Sequence, residues 1–411
     1  MEALTGVRVL ELGSTVAGPF CGRLLADFGA DVVKVEPPAG DAVRAMGKHV
    51  GGKSLYAASI FRNKSLIAVD LAKPEGRDVI KRIVKNFDVL IENFRPGTLE
   101  KWGLDYETLS SINPGLIMVR ISGFGQNGPY RERPGYGFLG DAVSGLLSIT
   151  GFPDRPPVRA AVPVTDMVTA IYSAYGITMA LLVRARTGKG QCIDAALFES
   201  SFSLMESHVP AYDKLKEIPP RSGSRLSGST PNNLYPTRDG KTIAIAAASD
   251  SVFARLAKTM DHPELASDPR FGEAVPRCKN EDAVDEIIGG WTRSHDLAEL
   301  EATLHDAQVP ASRVFTLDDI FNDKHYKARG MLVPVRDEDM GDVSMVAPVP
   351  KLSATPGTIK WSGRHIGEDT ERILHDSGSF DAAELRALEA AGTIRCHRSA
   401  MWRSENSLEG A

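Results

Sequence analysis

Over its first 125 residues the chain alternates short, apolar runs with helical segments, and this alternation restricts the fold more than any other feature. Residues 7–12, 31–36, 65–70, 88–92 and 116–121 are strand candidates rich in Val, Ile and Leu. Residues 19–28 read as a helix, with Pro19 in its first turn and Gly29 closing it. Residues 75–86 read as an amphipathic helix with Val79, Ile80, Ile83 and Val84 on one side. Strands that are apolar nearly throughout belong in a parallel sheet whose two faces are covered by the intervening helices. The predicted fold class is therefore α/β.

The middle of the chain is mainly helical. Residues 168–186 form the longest helix candidate, ending at Thr187-Gly188-Lys189-Gly190, and residues 195–207 a second. Residues 219–236 are rich in Ser, Gly, Pro and Arg and read as a loop or linker. A second unit begins near Asn233, with a strand at 241–246 and helices at 251–260, 283–293 and 298–307, and ends around Asp323. Residues 333–350 read as two short strands around Met340-Gly341. A last helix at 382–391 precedes a polar tail from about His397.

Composition excludes several classes. The 48 Lys and Arg against 53 Asp and Glu give a net charge of −5, which argues against a general nucleic-acid partner but leaves room for a local basic pocket. The N-terminus shows no secretory signal. The most apolar stretch, residues 168–183, is interrupted by Thr169, Tyr172, Ser173, Tyr175, Gly176 and Thr178, so no membrane span is expected. Cys21, Cys192, Cys278 and Cys396 lie far apart, without metal-ligand spacing, so neither a disulfide scaffold nor a metal site is expected. A reducing cytoplasm is the simplest location.

Three segments carry candidate chemistry. Gly123-Phe124-Gly125-Gln126-Asn127-Gly128 has the spacing of a dinucleotide fingerprint and follows a predicted strand. The next residues, Pro129-Tyr130-Arg131-Glu132-Arg133-Pro134, cannot open a long apolar helix, so the context of that fingerprint fails. Asp166 directly precedes the long apolar helix. It reads as a cap or first-turn residue, or as a carboxylate nucleophile. The readings overlap, because a helix N-terminus favours negative charge by about 0.3–1 kcal/mol and keeps the carboxylate ionised. Asn93-Phe94-Arg95-Pro96-Gly97 follows a strand end, where ligand crevices of parallel sheets lie; it is an ordinary turn or a site for a base and a phosphate. Arg44, Lys64 and Lys101 are further cations in such places, each an ordinary surface charge if taken singly. No histidine has a recognisable nucleophile or metal partner.

Taken together, Gly6-Val7-Arg8-Val9-Leu10-Glu11-Leu12, Ala17-Gly18-Pro19, Ala30-Asp31-Val32-Val33-Lys34-Val35-Glu36, Glu92-Asn93-Phe94-Arg95-Pro96-Gly97 and Gly123-Phe124-Gly125-Gln126-Asn127-Gly128-Pro129-Tyr130 resemble the class III CoA-transferases in order and spacing. That group includes formyl-CoA and carnitine CoA-transferases and the α-methylacyl-CoA racemases. The resemblance runs over residues 4–394 through Pro163-Val164-Thr165-Asp166 and Thr187-Gly188-Lys189-Gly190-Gln191. It implies a large Rossmann-like domain formed by residues 1–200 and 330–411, a small α+β domain at 225–325, and linkers at 201–224 and 326–329. It also implies a homodimer of two interlocked rings.

By the same resemblance, Asp166 is the nucleophile that takes up an acyl group and then CoA. Coenzyme A and acyl-CoA are substrates, and no tightly bound cofactor is implied. Asn93, Phe94, Arg44 and Lys101 map to the CoA-contacting region, and Tyr56 and Tyr136 to active-site tyrosines. Gly223 to Gly228 is the candidate for the glycine lid. Racemase members place a histidine where this chain has Tyr136, and no histidine lies between His49 and His208, which favours transfer over racemisation. Val16 stands where formyl-CoA transferases carry a glutamine that helps hold oxalate, which argues against oxalate as acceptor. Arg159, seven residues before Asp166, is a candidate for binding a distal carboxylate or an ordinary structural arginine. Succinyl-CoA as donor, with a dicarboxylate acceptor, is the expected system. An acyl-CoA racemase or epimerase, and a dinucleotide-binding protein without transferase activity, are the alternatives.

Overall fold

Six strands of the larger unit run parallel: β1 (Arg8–Glu11), β2 (Asp31–Glu36), β3 (Lys64–Val69), β4 (Val89–Glu92), β5 (Ile117–Ser122) and β6 (Cys192–Ala196). Their order in the sheet is β3-β2-β1-β4-β5-β6, with the two-residue strand Ile394–Arg395 added antiparallel to β3. This is the doubly wound order. The structure is a computed structural model that describes residues 1–397, so the expected polar tail lies outside the described residues except for His397.

Strand alternation produces two cores from one sheet. Leu10, Val33, Leu90 and Met118 face one side, where the helix Pro74–Ile83, predicted as the amphipathic segment, packs with Val79, Ile80 and Ile83. Val9, Val32, Val89, Ile91, Ile117 and Val119 face the other, against Cys21 and Leu25 of one helix and Ala170, Ile177 and Ala180 of another. In chain order these helices are α1 (Ala17–Ala26), α2 (Pro74–Ile83), α3 (Gly137–Val143), α4 (Val164–Thr187) and α5 (Leu197–Phe202), α3 being a short one near the start of α4.

The chain divides into two compact units. The larger comprises Met1–Leu146, Ala160–Val209 and the described residues from Ala328 on; the smaller comprises Leu147–Arg159 and Pro210–Lys327. Residues 147–159, expected in the large domain, thus cluster with the smaller unit, and residues 201–209, expected as linker, with the larger. The smaller unit holds an antiparallel sheet, β7 (Asn232–Pro236), β8 (Thr242–Ala246) and β9 (Ala311–Arg313), in the order β9-β8-β7. Its core gathers Tyr235, Ile243, Phe253, Ile288 and Leu300.

Two elements that position the site differ from expectation. β6 begins in a segment read as loop followed by helix, because Cys192 and Asp194 are exposed and the strand lacks a continuous apolar run. α4 starts at Val164, four residues before the expected Val168, and spans 24 residues. That makes it long and apolar enough to cross a membrane by length and composition. Its buried stripe, however, packs on the sheet.

Candidate active site

The doubly wound order opens a crevice between β1 and β4, where the winding reverses. A cavity of about 210 Å³ lies there, lined by residues 14–17 after β1, 93–96 after β4, 121–123 at the end of β5, and Arg133, Gly135, Tyr136, Asp166 and Leu197. All of these belong to the larger unit. The volume suits an acyl group rather than a whole nucleotide.

The floor is a backbone loop held by side chains. Asn93 Oδ1 accepts from Ser14 N at 2.7 Å, and Asn93 Nδ2 donates to Ser14 O at 2.8 Å. A Cβ at Gly13 would stand 3.1 Å from Asn93 Oδ1, so glycine there lets the amide approach. Thr15 adopts φ 67° and donates its N–H to Asp41 Oδ1 at 3.1 Å. Asp41 is paired with Lys34 at 3.0 Å, and the Lys34 ammonium donates to Gly13 O. Burial pushes the Asp41 carboxyl up, but Lys34 and the Val43 and Thr15 N–H groups outweigh it and hold it below the ordinary value. Lys64, expected near the surface, is fully buried and paired with Glu11 at 2.6 Å beneath the same loop. These charges are compensated in place, so they fix the loop instead of facing the ligand.

One wall rests on Glu92. Its Oε2 accepts from Phe94 N at 2.8 Å and its Oε1 from Arg120 Nε at 2.8 Å, while Arg120 Nη1 reaches Glu100 at 2.7 Å. Burial pushes the Glu92 carboxyl up to about 7 despite Arg120. Phe94 packs edge-on against Trp102, with ring centroids 5.2 Å apart. Arg95, next in the chain, is exposed at the cavity.

Asp166 occupies the first turn of α4 and is partly buried. Its carboxylate lies against Gly137 at the start of α3, so closely that a Cβ there would overlap Oδ2. Thr165 beside it bonds Asp141, and its hydroxyl lies 2.5 Å from Ser201 Oγ, which anchors the turn on α3 and the segment after α5's start. Gly123 and Gly135 pack back to back, a Cβ on either standing 2.6 Å from the other's Cα. The segment 133–137 is thereby pinned between the end of β5 and Asp166. Tyr136 is 72% exposed. The Tyr56 hydroxyl is buried without a hydrogen-bond partner; burial first, and the Asp166 charge second, raise its pKa.

Of the residues singled out in the sequence, Val16, Asn93, Phe94, Tyr136 and Asp166 line this one cavity, and Tyr56 lies within electrostatic reach of Asp166. Arg44 does not line it: Nε and Nη2 bond the Glu36 carboxylate at 2.7 Å each, and Nη2 also reaches the Arg364 carbonyl. Lys101 is exposed on the helix Thr98–Trp102, away from the lining. Arg159, Gly223 and Gly228 belong to the smaller unit. Arg133 was not singled out in the sequence, because nothing in Tyr130-Arg131-Glu132-Arg133 says which arginine borders the cavity. The glycines at 123–128 are not followed by a helix until Gly137, so a dinucleotide fingerprint lacks its helix N-terminus. Among the described residues no group of three His, Cys, Asp or Glu is placed to hold a metal.

A sequence model described as CoA-transferase family III matches residues 4–370. The chain belongs to CoA-transferase family III. It is 44% identical over 393 residues to a succinyl-CoA–D-citramalate CoA-transferase of Chloroflexus aurantiacus, covering 95% of this chain and 98% of that one. It is 36% identical over 398 residues to a succinate–glutarate CoA-transferase of Agrobacterium fabrum, covering 95% and 97%. Among solved structures, a CaiB/BaiF family protein from Brucella suis matches with TM-score 0.81 and 36% identity over 92% of this chain and 99% of that one. This family III CoA-transferase thus has a carboxylate, two arginines and one tyrosine at its sheet's switch point, with Tyr56 within electrostatic reach of the carboxylate.

Proposed function

We propose that this enzyme moves CoA from succinyl-CoA to a dicarboxylate acceptor through covalent intermediates on Asp166. The observation that carries the mechanism is the Asp166 carboxylate, held at a helix N-terminus in the wall of the switch-point cavity. The dicarboxylate reading draws on the relatives that act on citramalate and glutarate.

An Asp166 oxygen attacks the thioester carbonyl, the C–S bond breaks, and CoA thiolate leaves an acyl-aspartyl anhydride. The thiolate then attacks the aspartyl carbonyl, releasing succinate and forming an aspartyl-CoA thioester. The acceptor carboxylate attacks that carbonyl and expels the thiolate, giving a second anhydride. Attack of the thiolate on the acceptor's acyl carbon frees Asp166. No net proton moves, so no general base is required, in keeping with a cavity lined by no histidine. Phe94 and Arg95 serve the CoA moiety, and Tyr56 and Tyr136 border the reacting carbonyl.

A homodimer fits the exposed face of α4. Ile171, Tyr175, Met179 and Leu182 recur at helical spacing, and Tyr175 and Leu182 are 60% and 59% exposed. An apolar groove of about 770 Å³ continues this face between Phe20, Leu24, Phe28, Ile171 and Tyr175. A second copy, interlocked with the first in a cytoplasmic dimer, covers it in our reading.

The test is mass spectrometry of wild type and Asp166→Ala after incubation with succinyl-CoA, followed by hydroxylamine. An adduct on the peptide containing Asp166, absent in the variant, is the expected result. Deuterium wash-in at the acyl α-carbon without an adduct would establish a racemase instead.

A further inference from the structure

We infer that Arg133 selects dicarboxylates by holding the carboxylate distal to the reacting one; the inference rests on the transferase reading above. Both succinyl-CoA and a dicarboxylate acceptor carry a second carboxylate, which needs a cation inside the cavity once the first is at Asp166. Two arginines line that cavity, Arg95 and Arg133, both solvent-exposed at its mouth. Among the described residues neither has a carboxylate within ion-pair distance, whereas Arg44 and Arg120 are both committed to glutamates.

Position separates the two. Arg133 belongs to the segment pinned by Gly135 on Gly123 and by Gly137 on the Asp166 carboxylate, so it is built onto the reacting group. Its guanidinium lies 3.5 Å from the centroid of the Tyr130 ring. Tyr130 in turn packs edge-on against Phe124 at 5.8 Å, and Phe124 lies 6.1 Å from Phe198. This aromatic row orients the planar fork without neutralising it, which suits bidentate recognition of a carboxylate. Arg95 comes instead from the turn after β4, two residues beyond Asn93, whose amide is turned to Ser14. It adjoins Phe94, which the reading above gives to CoA.

The experiment compares wild type, Arg133→Gln, Arg133→Lys and Arg95→Gln with paired substrates: succinyl-CoA against butyryl-CoA, and glutarate against butyrate. For Arg133→Gln, KM for the dicarboxylate partners should rise roughly 10- to 100-fold, the size of a lost charge-assisted hydrogen bond, with butyryl-CoA and butyrate unchanged. Arg133→Lys should recover part of the loss, and Arg95→Gln should weaken both acyl-CoAs alike. Equal weakening of succinyl-CoA and butyryl-CoA by Arg133→Gln, or no change with either, overturns the inference while leaving the transferase reading intact. Wild type that forms no Asp166 adduct overturns the transferase reading. Calorimetric titration with succinate and with butyrate then reads the Arg133 contact without turnover. Loss of succinate binding alone in Arg133→Gln supports it, and equal binding overturns it.

Discussion

Gly137 constrains Asp166 from outside its own helix. The absence of a side chain at 137 leaves the space that the carboxylate occupies. Gly137→Ala should therefore leave the fold intact, since position 137 lies in a helix that accepts alanine, and displace the Asp166 carboxylate, the proposed nucleophile. A displacement of this order costs about 100-fold in kcat. Steady-state kinetics alongside a melting curve check this: a fall in kcat with an unchanged melting temperature is expected, and full activity would show that the carboxylate reacts from another position. The same scale explains Asn93. Its amide is used twice on Ser14, so its contribution to ligand binding is made through the loop it holds.

At the scale of elements, the end of β4 is governed by a buried acid. Glu92 ties Phe94 N to Arg120, and its carboxyl stands at about 7 against an ordinary value of 4.5 because burial penalises the charge. Below 4.5 folded and unfolded chains both carry the proton. Between 4.5 and about 7 only the folded chain does, so the Glu92 contribution to stability declines as pH rises through that window and is constant above it. Glu92→Gln keeps an acceptor and removes the titration. Melting temperatures from pH 5 to 8 should show the variant gaining on wild type up to about pH 7, and parallel curves would refute the assignment. α4 has a double role at this scale: its first turn presents Asp166, its buried stripe covers the sheet, and its outer stripe remains apolar.

At the scale of the whole molecule, that outer stripe calls for a covering surface. Leu182→Glu places a charge at its C-terminal end, remote in sequence from Asp166. In the dimer reading this substitution should shift the mass measured by light scattering from two chains toward one, with helicity retained. A wild-type protein of one-chain mass would remove the reading altogether.

Much of the large domain was readable from local pattern. The short Val- and Ile-rich runs at 31–36 and 116–121, bounded by turn residues, read as strands by length and β-branched content, and Asp166 reads as the start of the long helix although that helix begins four residues earlier than its apolar pattern indicates. The resemblance carried by the ordered motifs reached the family, which comparison then showed. What the sequence alone left undecided depends on contacts between distant segments. β6 is a strand only because β5 offers it an edge. Asn93 and Arg44 look like ligand groups by residue type, but their partners are Ser14 and Glu36. Arg133 and Arg131 are equivalent in local pattern, and only the packing of Gly135 on Gly123 brings Arg133 to the wall of the Asp166 cavity. Local pattern determines most of the helices and strands of the large domain, since those depend mainly on neighbours in the chain, with β6 the exception. Which polar groups are spent on the fold and which are left for substrate is decided only when the tertiary structure brings their partners together.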